Sequence, residues 1–331
     1  MRRESDTLKG FTIIETMLFL ALTGLMLVGA MVGIGTNLTH SRYRDSVEDI
    51  ALMIRNQYDQ VSRVQIERRT DTGVCEVITG NKSYSIKEQD LNKGRGRSDC
   101  DVYGVAIIFG LNDPTRGEGR IVQVNSLIGK DATALEKEIQ AAHATDVLPP
   151  DPKEEIAGMT DQQLFKELGI NNVIERNNVC EAVNIIDRKV LNWGSYLEDT
   201  YSEEDEGTHY AKKGIVLIIR SPRDGTVHTY TYNFSKDSNK TVVDYSNLGQ
   251  ERCHTAFIQS VDINDAFNQV DAGGNEKEML FNNTKDFHLC ISSDDALSTY
   301  GRRRMLTIKA DGHNSSAVSL VDMESEDNLC Q

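Results

Sequence analysis

The stretch that decides the fold runs from Lys9 to Gly35 and reads KGFTIIETMLFLALTGLMLVGAMVGIG. From Phe11 onward it contains 25 residues and a single charge, Glu15. As a helix rising ~1.5 Å per residue it is roughly 37 Å long, more than the ~30 Å hydrocarbon core of a bilayer. The apolar runs elsewhere in the chain are short and strand-like. The stretch therefore predicts one membrane-spanning helix.

Gly10 and Glu15 distinguish this segment from an ordinary secretory signal. Such a signal has a shorter apolar core, and its cleavage site follows that core. Here Gly10 precedes the apolar run, directly after the charged head MRRESDTLK. An acid inside a membrane helix costs ~2.5–3.5 kcal/mol at the bilayer centre, so Glu15 marks a functional position. Basic residues flank the span on both sides, so charge alone does not fix its orientation.

This order of glycine, phenylalanine, spaced acid and long apolar helix resembles the N-terminal signal of type IV pilins and type II secretion pseudopilins. The resemblance implies that a prepilin peptidase cuts after Gly10 and methylates Phe11, the new N-terminus. It also implies a filament in which the Glu15 carboxylate of one subunit pairs with the Phe11 amine of its neighbour. Breaking such a buried pair would cost ~3–5 kcal/mol. The alternative is a plain membrane anchor in which Glu15 is incidental.

The resemblance further implies where the protein acts and with what. Before assembly it lies in the lipid of the inner (cytoplasmic) membrane as a single-pass protein with its C-terminal domain outside. It then joins a cell-surface or periplasmic filament. Its partners are the prepilin peptidase, other pilin or pseudopilin subunits and the inner-membrane assembly platform. A bulky domain would crowd a tightly wound fibre, which favours a minor pilin or pseudopilin. The alternative is a membrane-anchored extracytoplasmic binding domain that does not polymerise.

The charge balance and the motifs argue against other functions. Without residues 1–10 the chain has 33 Lys and Arg against 49 Asp and Glu, a formal charge of −16. Such an acidic chain disfavours broad binding to nucleic-acid phosphates. We find no Ser-His-Asp order, GxSxG, HExxH or phosphate-binding glycine loop, so we expect neither an enzyme nor a cofactor. The acidic run at 198–206 predicts a solvated loop rather than a calcium site.

Six cysteines are spread over the chain: Cys75, Cys100, Cys180, Cys253, Cys290 and Cys330. None forms a CxxC pair, which gives a zinc or thioredoxin-like site little support. An even count outside the cytoplasm predicts disulfides, with 15 conceivable connectivities. We favour the local pairs Cys75–Cys100, Cys180–Cys253 and Cys290–Cys330. The last pair resembles the C-terminal disulfide-bounded loop of many pilins, and free buried thiols are the alternative.

Three consecutive arginines, Arg302, Arg303 and Arg304, lie near the C-terminus. Some minor pilins carry basic residues near their C-terminal strands and are thought to touch DNA. Consecutive residues of a strand point to opposite faces, so at most two of these arginines share a face. In so acidic a chain we expect ion pairs with acids such as Asp294 and Asp295 rather than DNA contact.

The remaining pattern predicts an α+β fold in which a long helix, hydrophobic and then amphipathic, packs on an antiparallel sheet with a helical insertion, as in pilins. Apolar residues recur every three or four positions after the span, at Val47, Ile50, Ala51, Ile54, Tyr58, Val61 and Val64. The predicted parts are the leader (1–10), the transmembrane or filament-core helix (11–36), its amphipathic continuation (37–69), a first sheet-forming part (70–128), the helical insertion with the acidic loop (129–210) and a C-terminal antiparallel sheet part (211–331).

Individual elements follow from apolar alternation, turn residues and capping residues. Strands are predicted at 74–80, 83–87, 102–110, 119–127, 213–220, 227–234 and 285–293, and a hairpin at 302–321 with an Asp311-Gly312 turn. Helices are predicted at 131–144, 160–170 and 179–193, with a linker at 148–155. The helical insertion is either a recognition element or a spacer.

Overall fold

The computed structural model describes residues 12–63, 100–113, 117–144, 151–170, 173–176, 179–182, 185–198, 209–210, 214–233, 286–293 and 303–322. The helices in these ranges are α1 (Ile13–Ser62), α2 (Ala132–Ala142), α3 (Pro152–Gly158) and α4 (Asp161–Glu167). The strands are β1 (Cys100–Asp113), β2 (Gly117–Lys130), β3 (Val173–Arg176), β4 (Val179–Ala182), β5 (Ile185–Val190), β6 (Ser195–Glu198), β7 (His209–Tyr210), β8 (Gly214–Arg220), β9 (Val227–Asn233), β10 (Phe287–Ser293), β11 (Arg304–Ile308) and β12 (Val318–Asp322). The fold is therefore α+β.

Helix α1 is a single unbroken helix of 50 residues, about 75 Å long. It begins after the N-cap Thr12 and ends at Arg63, whose N–H donates to the Asp59 and Val61 carbonyls. The chain has no proline in this segment, and none of the four glycines in its apolar half interrupts the helix. The predicted span and its amphipathic continuation are thus one rod, as far as Arg63.

The second half of α1 buries the predicted apolar stripe. Val47, Ile50, Ala51, Ile54, Tyr58 and Val61 are all at most 2% exposed; Val64 and the rest of the predicted continuation lie outside the described residues. Gln57 is buried as well. It falls three residues after Ile54 and four before Val61, so it lies on the same helical face. The stripe is wide because α1 packs against two sheets.

The first sheet has the strand order β5-β2-β1-β8-β9, with every neighbouring pair antiparallel. In β1, Val105, Ile107 and Phe109 point into the core shared with α1, while Ala106 and Ile108 point into a second core on the other face. Both faces of this sheet are covered. That explains why the sequences of β1 and β8 are continuously apolar rather than alternating between apolar and polar residues.

The second face of this sheet is covered by α2, α3 and α4. Leu135 and Ile139 of α2 and Leu164 and Phe165 of α4 join the same buried cluster. The insertion is therefore part of the core rather than a detached spacer. The Phe165 ring meets the Tyr230 ring of β9 edge-on, with centroids 6.1 Å apart.

Capping residues fix the ends of these helices. Asp131 caps α2, and at the start of α4 the Thr160 and Gln163 side chains each accept a hydrogen bond from the other's N–H, a reciprocal capping box. Gly169, at φ 60, follows α4, as predicted. The predicted linker at 148–155 is wrong from residue 152 onward. There Asp151 caps α3, and proline at the first helical position is compatible with a helix start.

The second sheet has the order β12-β11-β10-β6, and β7 pairs in parallel with β10. Its inner side contributes Leu289, Ile291 and Leu306 to the core under α1. The Phe109 and Phe287 rings, with centroids 5.4 Å apart, join the two sheets. The structure confirms the predicted hairpin at 302–321 and the predicted strands at 102–110, 119–127, 213–220, 227–234 and 285–293. The predicted strands at 74–80 and 83–87 lie outside the described residues.

The helix predicted at 179–193 is wrong. Residues 179–182 form β4, which pairs with β3, and residues 185–190 form β5, which pairs with β2. The segment is rich in valine and isoleucine, whose branched side chains favour strands. Pairing with a strand some 60 residues earlier decides its structure. Glu198 ends β6, and residues 199–206 of the acidic run lie outside the described ranges.

Candidate membrane and assembly segment

The first half of α1 leaves its apolar side chains exposed in the part of the protein that the structure describes. The large apolar residues from Ile13 to Leu38 are 50% or more exposed, including Phe19 at 67% and Leu25 at 74%. An 18-residue window of the helix has a mean hydropathy of 2.3, and none of it is buried. The helix is long and apolar enough to span a membrane. Its surface needs a cover of lipid or of other protein, because so large an apolar area is unfavourable in water.

Two hydroxyls on this segment, those of Thr16 and Thr23, are satisfied within the helix. Thr16 Oγ1 donates to the Ile13 carbonyl oxygen at 2.9 Å, and Thr23 Oγ1 donates to the Phe19 carbonyl oxygen at 2.9 Å. These bonds reduce the cost of placing threonine in an apolar environment. Glu15 is then the only ionisable side chain between residues 12 and 39.

Glu15 lies in the first turn of α1 and forms a capping box with Thr12. Thr12 Oγ1 accepts the Glu15 N–H at 3.3 Å, and Glu15 Oε2 accepts the Thr12 N–H at 3.4 Å. The carboxylate is therefore directed back toward the start of the helix. Acidic side chains are favourable there because of the exposed N–H groups and the helix dipole. Gly10 and Phe11 lie outside the described residues.

The globular domain begins at Tyr43, which is 7% exposed and donates its hydroxyl hydrogen to the Ile291 carbonyl oxygen at 2.6 Å. The next residue is Arg44, whose Nε lies 2.7 Å from Oε1 of Glu48, one turn further along α1. The hydrogen bond from Arg44 is the main reason that the pKa of Glu48 is lowered. Eleven residues further along α1, Nη2 and Nε of Arg55 both donate to the Val318 carbonyl oxygen, at 3.0 and 3.3 Å. Helix and domain are thus joined by direct bonds.

Arg304 belongs to this junction rather than to an open basic surface. Its side chain is 11% exposed, Nε lies 2.5 Å from Asp322 Oδ1, and Nη1 lies 3.4 Å from Glu48 Oε1. Arg304 thus forms ion pairs, as expected, and the acids seen to pair with it are Asp322 and Glu48. Asp294 and Asp295 lie outside the described ranges. Arg303 is half-buried, and Arg302 lies outside the described residues.

Of the predicted cysteines, Cys290 lies in β10, fully buried and disulfide-bonded. Cys100 begins β1 and Cys180 lies in β4. Cys75, Cys253 and Cys330 lie outside the described residues, and so does every predicted pairing.

A polar cluster that the sequence did not predict joins α4 to the β8–β9 turn. Asp161 Oδ1 accepts the Ser221 hydroxyl hydrogen at 3.0 Å and lies 3.3 Å from Arg223 Nη2, while Oδ2 lies 3.1 Å from His228 Nε2. His228 Nε2 is also 2.7 Å from Thr226 Oγ1. The Ser221 hydroxyl thus donates to the carboxylate rather than to the imidazole. The cluster fastens the helical insertion to the sheet, and no local sequence signal indicates it.

No group of three or more His, Cys, Asp or Glu side chains in the described ranges is arranged to hold a metal ion. Comparison of the chain with protein-family models, curated proteins and solved structures finds no match. The features of the described residues that bear on function are therefore α1 and its junction with the domain.

Proposed function

We propose that this protein is a structural subunit, a minor pilin or pseudopilin, of a filament of the type IV pilus or type II secretion kind. In this proposal a prepilin peptidase cleaves after Gly10, and α1 spans the cytoplasmic membrane with the domain outside. The assembly platform then moves α1 from lipid into contact with the α1 helices of neighbouring subunits.

The observation that carries the proposal is the continuity of α1. A domain that only needs to be held at a membrane can hang from a flexible linker. Here the exposed apolar half of α1, from Ile13 to Leu38 (the bare segment), continues without interruption into the core helix of the domain. Contacts of Tyr43, Arg55 and Arg304 attach that helix to the sheets. Packing neighbouring apolar helices would therefore fix the position of every domain. That is what an ordered filament requires.

The position of Glu15 supports the same function. Its carboxylate is directed toward the chain start, where the Phe11 amine would lie after cleavage. In an apolar filament interior the carboxylate of one subunit and the amine of the next would neutralise each other. Leaving one of the two unpaired would cost ~3–5 kcal/mol. The pair would thus set the axial register between subunits.

The capping box supplies a competing local role for Glu15, and a pair of variants separates the two roles. Glu15→Gln keeps a side chain that can accept the Thr12 N–H but loses the charge. Thr12→Ala keeps the charge but loses the cap, at a cost of ~1 kcal/mol. We expect both variants to insert into membranes and to be cleaved. Glu15→Gln should fall in sheared filaments by about 100-fold or more, since 3 kcal/mol corresponds to that ratio.

The measurement compares membrane fractions and sheared filaments from cells that contain the assembly machinery. Thr12→Ala should enter filaments at close to the wild-type level. Glu15→Leu should insert at least as well as the wild type and also fail to assemble. If Glu15→Gln enters filaments as the wild type does, the charge pair has no role. A membrane-anchored domain that does not polymerise would then be the better account.

A further inference from the structure

In the turn between β5 and β6, a tryptophan adopts a backbone conformation that bulky residues rarely adopt. Ser195 N–H donates to the Asn192 carbonyl oxygen at 3.1 Å, closing a tight turn. The two central residues, Trp193 and Gly194, have φ values of 57° and 74°. This is the pattern of a type I′ turn, in which asparagine, aspartate or glycine is favoured at the first central position. A bulky side chain is strained there.

Burial in the domain does not compensate for this strain. Trp193 is the only tryptophan of the chain, and its side chain is 53% exposed. Among the described residues, the Arg42 guanidinium stacks on the ring, 4.3 Å from its centroid. Strain at a position without local compensation is the signature of a residue kept for function.

The position of Trp193 and Arg42 relative to the bare segment suggests what the tryptophan does. Arg42 is one turn of α1 beyond Leu38, the last of the exposed apolar side chains of the bare segment, so the pair lies about 6 Å from its end. From Ile13 to Leu38 the segment is about 39 Å long, enough to cross the ~30 Å hydrocarbon core with some tilt. The end of the segment, with the ring beside it, then falls at the headgroup level.

We infer that Trp193 and Arg42 form an interfacial anchor that holds the domain against the phospholipid headgroups before assembly. Tryptophan rings favour this depth because they are both apolar and able to donate a hydrogen bond. The Arg42 guanidinium can bind lipid phosphate while it remains stacked on the ring. The next arginine, Arg44, is already paired with Glu48. The anchor depends on the proposed membrane position of α1.

Because Trp193 is the sole tryptophan, its fluorescence reports on this site alone. The full chain would be reconstituted into phosphatidylcholine–phosphatidylglycerol vesicles that contain lipids brominated at a shallow or a deep acyl position. We expect shallow bromines to quench the emission more strongly than deep ones, and aqueous acrylamide to quench it weakly. Arg42→Gln should reduce bromine quenching and increase acrylamide quenching.

Flotation of the same vesicles separates this inference from the proposed function. Protein that does not float with the vesicles contradicts the membrane position of α1 itself. Protein that floats while acrylamide quenches Trp193 fully and bromines do not contradicts only the anchor. Shielding of Trp193 in filaments but not in vesicles would also overturn the anchor, in favour of a contact between subunits.

A stability measurement tests whether Trp193 instead serves the fold. Trp193→Asn places a preferred residue in the turn, so thermal unfolding should occur at an unchanged or higher temperature, by up to about 2–4 °C. A clear decrease would show that the ring supports packing, and the inference would fail.

Discussion

Tyr58 offers a test of how firmly α1 belongs to the domain. Its side chain is fully buried, and its hydroxyl lies 2.8 Å from Thr229 Oγ1. The Thr229 hydroxyl hydrogen is donated to the Gly312 carbonyl oxygen at 2.6 Å, so Tyr58 must be the donor to Thr229. This chain of bonds joins α1, β9 and the β11–β12 turn. Tyr58→Phe removes its first bond without changing the packed shape.

The expected loss at neutral pH is about 1 kcal/mol of unfolding free energy, the worth of one buried hydrogen bond. Thr229→Val should cost more, about 2 kcal/mol, because it also leaves the buried Gly312 carbonyl without its donor. In the double variant the Tyr58→Phe penalty should largely disappear, since the two side chains share one interaction. Urea unfolding of the full chain in detergent, followed by far-ultraviolet circular dichroism, measures these differences.

The pH dependence sharpens the test. Burial raises the pKa of Tyr58 to about 12, from about 10 in an unfolded chain. Because the folded-state pKa is the higher one, this contribution to stability is complete below pH ~10 and is lost as the pH rises toward ~12. The wild type then loses about 1 kcal/mol near pH 11 and about 3 kcal/mol above pH 12 on account of Tyr58 alone.

Because phenylalanine cannot ionise, Tyr58→Phe does not lose this unfolding free energy at high pH. The stabilities of Tyr58→Phe and the wild type should therefore converge near pH 11 and cross above it. Burial raises the pKa of Tyr103 and Tyr230 as well, but both residues are present in the two proteins and cancel in the difference. An unchanged gap between the two proteins from pH 7 to pH 12 would refute the described burial of Tyr58.

Two further predictions concern glycines. Gly10→Val should leave the precursor uncut in cells with an active prepilin peptidase, and intact mass should show it; wild-type protein that keeps Met1 in such cells would contradict the cleavage site. Gly104→Ala should prevent native folding, because its Cβ would overlap the Ile218 carbonyl oxygen across the β1–β8 pair. Gly158→Ala, with nothing within 4 Å of the added Cβ, is the matched control and should fold normally. Equal yields of soluble, folded protein for both alanine variants would contradict the β1–β8 pairing.

Sequence reasoning succeeded where structure is set by nearby residues. The stripe from Val47 to Val61 follows from helical spacing alone, and the caps at Asp131 and Thr160 follow from local chemistry. The hairpin β8–β9 follows from its turn residues and alternating strands. These features need no knowledge of the rest of the fold.

The predictions that were wrong or missing concern contacts between distant parts of the chain. The segment at 179–193 has an ambiguous apolar pattern, and its pairing with β2 resolves it as strand. Trp193 and Arg42 are about 150 positions apart, and their contact has no signature in sequence. The proposed anchor could therefore not be predicted from the sequence alone.

The most direct test of the central claim asks what covers the bare half of α1 in the assembled state. A photo-crosslinking amino acid would replace Leu25, whose side chain is 74% exposed within the chain, and sheared filaments would be irradiated and digested. Assembly through α1 predicts crosslinks to residues 13–38 of another subunit, and no such crosslinks when Glu15→Gln is added. Adducts to lipid alone, or no adducts in a filament fraction that contains the protein, would contradict assembly through α1.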